Sequence, residues 1–259
     1  MKAKYGLEFE FSSNRSQEYI TDLLNRNGIH AENTHRARTG VWAVSYDGTI
    51  DTHDYNCHQI ELKAPPLRIH ELGQVKKVLD LLRTETESAV NYSCGTHTHI
   101  EIDNWETIKS IYYLWNHYED TILGFLPHVR RSNGMAKKIK PRWERIWPSV
   151  REGHIPNDRY LMVNSHCFSR YGTVEFRGHS GTLNFNKIKR WILFCASLVE
   201  LAKEFERWDT LALYLDMYRP DLFELLGMNG KTKRFLLGRT KHHASKNNSF
   251  KVNCTKWDY

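Results

Sequence analysis

Tyr5-Gly6-Leu7-Glu8-Phe9-Glu10-Phe11 is the stretch from which the fold is read. As a β-strand it sends Leu7, Phe9 and Phe11 to one face and Glu8 and Glu10 to the other, because side chains alternate along a strand. The apolar face needs a helical layer to cover it. The acidic face sets two carboxylates side by side, which is easily tolerated in water and costly in a cleft unless a cation lies between them. Alone, this is also the pattern of an amphipathic strand with one wet face.

Working outward, three later stretches repeat the design. His58–Ala64 puts Ile60, Leu62 and Ala64 on one face and Glu61 with Lys63 on the other, and Pro65-Pro66 ends it. Cys94-Gly95 opens Thr96–Ile102, with His97 and His99 on one face and Thr96, Thr98, Ile100 and Ile102 opposite. Gly172–Gly178 sets Glu175 and Arg177 opposite Val174 and Phe176 and is expected to form a hairpin with Tyr160–Phe168. If the four share one antiparallel sheet, its polar face gathers Glu8, Glu10, Glu61, His97, His99 and Glu175 beside Lys63 and Arg177. Carboxylates with an imidazole suit Mg²⁺ or Mn²⁺. With Arg and His nearby they make the apparatus of phosphoryl transfer. Zinc would call for tighter His/Cys spacing, and no Gly-rich phosphate loop of the GxxxxGK[ST] kind is present.

Between these strands the spacing predicts helices. Ser16 caps one that ends at Asn27-Gly28, Ile69 to about Ser88 forms a second, and Asn104 or Asp103 caps a third that stops at Pro127. Another starts at Asn184, with shorter ones near Leu211–Tyr214 and Leu222–Leu226. Val41–Tyr46 runs into Asp47-Gly48, a hairpin signal that places the return at Thr49-Ile50. From His128 to about Pro156 the periodicity fails and Arg130, Arg131, Lys137, Lys138, Lys140, Arg142, Arg145 and Arg151 gather with Trp143 and Trp147, which reads as a long functional loop or lid. The segment from Met228, with Lys241-His242-His243 and Lys246-Asn247-Asn248, reads as a mobile basic tail. The domain expectation is a catalytic domain over 1–227, with the basic insert at about 128–156, followed by the tail over 228–259.

The 259 residues, 40% hydrophobic, suffice for one substantial core. No apolar run approaches the roughly 20 residues of a membrane span, and the alternating strand that follows Lys2 and Lys4 does not read as a signal peptide. Five cysteines (Cys57, Cys94, Cys167, Cys195, Cys254) without a CxxC pair favour a reducing, cytoplasmic setting. The net charge of +7 is unevenly spread: 12 Lys/Arg against 18 Asp/Glu in residues 1–125, and 25 against 12 in 126–259. That asymmetry suits a site holding both cations and phosphates, and equally a nucleic-acid binder with a basic C-terminal half.

Taken in order, Tyr5–Glu10, Asp47-Gly48-Thr49-Ile50, Glu61 ahead of Pro65-Pro66-Leu67, Cys94–His99, Arg159, Asn164 and Gly172–Arg177 resemble the motif series of the amidoligase family. These are carboxylate–amine ligases related to glutamine synthetase and glutamate–cysteine ligase. The resemblance covers about residues 5–195, and Lys63 departs from it. It implies an α+β, glutamine-synthetase-like catalytic domain, with an antiparallel sheet forming a half-open cleft backed by helices. It also implies ATP with two or three Mg²⁺ or Mn²⁺ ions. By the resemblance, Glu10 and Glu61 hold the ion on the substrate side, and Glu8, His97 and Glu175 the ion on the ATP phosphates. His99, Arg159 and Arg177 contact phosphates or the substrate carboxylate, with Asp47 and Asn164 as further substrate-binding positions. The implied reaction activates a carboxylate as an acyl phosphate, which an amine on an amino acid, peptide or polymer then attacks. The alternatives are a nucleic-acid-binding protein using the basic half and a phosphotransferase on the same scaffold.

Overall fold

A computed structural model describes residues 3–52, 56–228 and 230–245 of the chain. The architecture is α+β, with a mixed seven-stranded sheet backed by helices. Two compact units are formed, one from the described residues of 2–98 and 179–189, the other from those of 99–178 and 190–249.

The first unit is built on β1 (Tyr5–Ser13), whose Leu7, Phe9 and Phe11 are buried as the alternation predicts. Burying each side chain of this size contributes about 1.5–3 kcal/mol. Helix α1 (Gln17–Arg26) follows, with the Ser16 side chain accepting from the Tyr19 amide and Gly28 at φ 72 just past the end. Its buried face, Ile20, Leu23 and Leu24, belongs to a helix packed against β2 (Ala31–Asn33), β3 (Trp42–Tyr46) and α2 (Leu72–Glu85). With β4 (His58–Lys63) the strands run in the order β2-β3-β4-β1. The β1–β4 and β3–β4 pairs are antiparallel and β2–β3 is parallel. That parallel pair corrects the all-antiparallel expectation. It is possible because β2 has three residues, roughly 10 Å at strand rise, a distance that residues 34–41 can retrace without a crossover helix.

The return from β3 is a second correction. Asp47 folds an Asx turn, accepting from the backbone and hydroxyl of Thr49, and the next strand starts at His58 rather than at Thr49. The boundary between the units falls inside β5 (Gly95–Glu101), leaving His97 in the first and His99 in the second.

The second unit is organised on α3 (Trp105–Gly124), capped by Asn104, which accepts from the Thr107 amide. Trp115 of this helix packs on Phe176 and Trp191, with ring centres 5.8 and 6.4 Å apart. The basic segment is not the open loop its charge suggests. It contains α4 (His128–Arg131), a 3₁₀ turn at Lys140–Arg142 and α5 (Trp143–Arg151). Buried Glu119 of α3 anchors the turn by accepting from the amides of Ile139 and Lys140. Buried Ile146 and Val150, four apart, face inward, while Trp143 and Trp147 stack at 4.5 Å. The charges on the outer face, with Pro148 inside the helix, masked this period.

After α5 come β6 (Val163–Asn164), α6 (Phe168–Tyr171) and β7 (Thr173–Ser180). The antiparallel β6–β7 pair is shorter than expected, because Phe168 already belongs to the one-turn α6. Helix α7 (Phe185–Glu204) starts where Asn184 predicts, followed by α8 (Trp208–Tyr218) and α9 (Leu222–Leu225). Residues expected to begin a mobile tail instead form α10 (Gly230–Ser245), in contact with α3. Lys246, Asn247, Asn248 and Cys254 lie outside the described residues. No described helix is long and apolar enough to cross a membrane.

Candidate functional site

In the first unit, the β1–β4 register sets Glu10 directly opposite Glu61 and Glu8 opposite Lys63. Like charges directly across a strand pair repel, so this placement needs compensation. Lys63 supplies part of it: its Nζ lies 2.7 Å from Glu61 Oε2 and also donates to the His35 carbonyl. The residue that departs from the motif series is thus the counter-ion of the expected ligand Glu61. Even so, burial and then the neighbouring Glu8 push the Glu61 carboxyl up to about 7, against the opposing pull of Lys63.

Asp47 converges on the same point. A carboxylate oxygen from each of Glu10, Asp47 and Glu61 lies within 4.8 Å of the others. Asp47, expected at a substrate-binding position, therefore joins two of the expected metal ligands. Three carboxylates at this spacing are the hard oxygen donor set that Mg²⁺ or Mn²⁺ prefers.

His97, 4% exposed on β5, sits between both strand carboxylates of β1. Its Nδ1 is 3.2 Å from Glu8 Oε2, and its Nε2 is 3.4 Å from Glu10 Oε1. A neutral imidazole has one N–H and can donate to just one of them. A cation at the other ring nitrogen would satisfy both carboxylates. Gly95 completes the arrangement, its amide donating to Glu10 Oε2. A Cβ on Gly95 would lie 2.6 Å from His97 Nε2 and 3.2 Å from Glu10 Oε2. The cradle is shaped for a residue without a side chain, and its donors fit a divalent ion.

In the second unit, Glu175 on β7 is 3% exposed and pairs in register with Asn164 of β6. Asn164 Nδ2 donates to Glu175 Oε2 at 2.6 Å, its Oδ1 accepts from the His166 amide, and Arg177 Nη1 donates to Glu175 Oε1. Asn164 thus grips Glu175 and fixes its orientation. Arg177 is held in turn by the Met135 carbonyl, which accepts from its Nε, and by Arg130, whose Nη2 donates to the Arg177 carbonyl at 2.7 Å. Arg159 is exposed, with its guanidinium 5.2 Å from the Tyr160 ring centre; Arg177 and Lys137 reach the same ring at 5.9 and 5.5 Å. Of these three cations, Arg177 pairs with Glu175 and Lys137 with Asp158. His99 lies close to Glu175, and so does Cys167.

The sequence reading missed Arg130, Lys137 and Cys167. Arg130 and Lys137 were indistinguishable from their basic neighbours, and Cys167 fell within the expected hairpin strand Tyr160–Phe168, where a lone cysteine carries no ligand signal. Cys94 is buried, with Asn91 Oδ1 accepting from its thiol.

With this geometry in place, comparison with protein families finds that residues 1–199 match a family described as "putative amidoligase enzyme". Comparison with curated proteins finds no match.

Proposed function

The chain belongs to this amidoligase family, and from that premise we propose that it is an ATP-dependent carboxylate–amine ligase joining its substrates through an acyl phosphate. A substrate carboxylate oxygen attacks the γ-phosphorus of ATP and ADP leaves. The amine then attacks the acyl carbon, loses a proton and expels phosphate, leaving an amide or peptide bond. The observation that carries the proposal is the convergence of Glu10, Asp47 and Glu61 beside His97, a donor set suited to the divalent ion that such a reaction would use.

In this proposal Glu8, Glu10, Glu61 and His97 would hold Mg²⁺ or Mn²⁺, and Glu175 would contribute on the ATP side. A divalent ion supplies charge neutralisation on phosphate oxygens. The protein's own contribution is positional. Gly95 and Lys63 orient the carboxylates, and Asn164 and Arg130 fix the Glu175–Arg177 pair. Arg177 and Arg159, with His99, would bind phosphate or substrate carboxylate and stabilise charge that develops during transfer. A glutamine-synthetase-like cleft belongs to the same proposal. The identities of acid and amine would be found by screening mixtures for ATP-dependent loss of water by mass spectrometry. A mass gain of phosphate without condensation would instead indicate a phosphotransferase. For an active pair, Glu10→Gln and Glu61→Gln should lower ADP formation on the order of 100-fold or more; turnover unchanged in both would reject the assigned site.

One observation favours a second reading. The described span of α10 carries Lys231, Lys233, Arg234, Arg239 and Lys241 and no acidic residue, a surface suited to nucleic acid. That reading requires affinity that falls steeply with salt and ignores Mg²⁺-ATP.

A further inference from the structure

Cys167 immediately precedes α6, after the end of β6. One donor atom each from His99, Cys167 and Glu175 lie within 4.8 Å of one another, all three in the second unit. This set differs in kind from the group formed by Glu10, Asp47 and Glu61. Thiolate, imidazole and carboxylate together favour a borderline-soft ion over Mg²⁺. Around tetrahedral zinc, neighbouring donors sit about 3.5 Å apart, given bonds of roughly 2.0–2.3 Å. The group therefore needs a modest inward movement of its side chains. Glu175 is already oriented for this by Asn164 and Arg177, as an outer shell orients a ligating carboxylate. Cys167 is half-buried.

We infer that His99, Cys167 and Glu175 form a binding site for a thiophilic divalent cation of the zinc class, with a fourth position open to water or a ligand. The site shares His99 and Glu175 with the ligase proposal but is tested independently of it: binding requires no substrate, and occupancy is read spectroscopically rather than by turnover.

The test uses the full-length reduced protein with Co²⁺ as the probe. A near-ultraviolet thiolate-to-cobalt charge-transfer band is expected in the wild type and in Cys57→Ser. The band should be displaced by Zn²⁺ and lost in Cys167→Ser. Zn²⁺ affinity should fall on the order of 100-fold or more in that variant, exceeding the usual cost of losing an outer-shell partner. Absence of the band from the wild type, or its survival in Cys167→Ser, would overturn the inference. A second measurement needs no variant: Zn²⁺ should slow alkylation of Cys167 and leave Cys57 unaffected, as read by peptide mass spectrometry. Equal alkylation rates at Cys167 with and without Zn²⁺ would likewise overturn it.

Discussion

Gly95 shows how narrowly a single position constrains the cation cradle. Gly95→Ala would push a methyl into His97 and Glu10, an overpacking that costs about 1–3 kcal/mol. Its expected signature is a lowered urea midpoint together with weakened Mn²⁺ binding by titration; unaltered Mn²⁺ binding would separate the glycine from the site. Glu61 makes a pH-dependent case. Its folded pKa of about 7 lies above the ordinary carboxyl value of 4.5, so between these pH values the folded state binds more protons than the unfolded one. Stability is therefore lost as pH rises through that window and, without metal, the penalty is complete above it. Glu61→Gln should be more stable than wild type at pH 8 in EDTA by about 1–3 kcal/mol, with the difference closing toward pH 4.5. Parallel pH profiles for the two proteins would reject this account. Glu8, Glu10 and His97 could be picked out from strand alternation and the Cys-Gly opening, because period-2 patterning places side chains by face. Where Asp47 ends up was hidden, since its carboxylate is set by an Asx turn beyond the end of β3, where strand alternation no longer assigns a face.

At the scale of elements, α5 separates a folded segment from a lid. Ile146 is buried in this helix, and Ile146→Ala should cost about 2–5 kcal/mol in urea unfolding, the range for truncating a core isoleucine. A residue on an open loop would change stability by less than about 0.5 kcal/mol, and such a result would return the segment to the lid reading. Elements with a clean apolar stripe, such as α1, α3 and α7, were legible with their caps. Helices α5 and α10 were not, because Pro148 interrupts the short α5 inside a basic segment and basic side chains crowd α10. The parallel β2–β3 pair was also illegible, since a three-residue strand has too little pattern to disclose its direction.

For the molecule as a whole, the division into two compact units means that unfolding need not be one cooperative step. Ion binding at Glu10, Asp47 and Glu61 should stabilise the unit that holds them. With Mn²⁺ at 100 times its dissociation constant the linkage contributes about 2.7 kcal/mol. Calorimetry should show a Tm rise of roughly 2–4 °C per kcal/mol, reversed by EDTA and absent in Glu10→Gln. A Tm unmoved by Mn²⁺ would count against a preformed ion site. The amide of Gly95 makes a finer observation available. Its proton points at the Glu10 carboxylate, so in an isotope-labelled sample its resonance should sit far downfield and move when a cation draws charge from that oxygen. One backbone signal would then give a direct assay for cation loading that needs neither substrate.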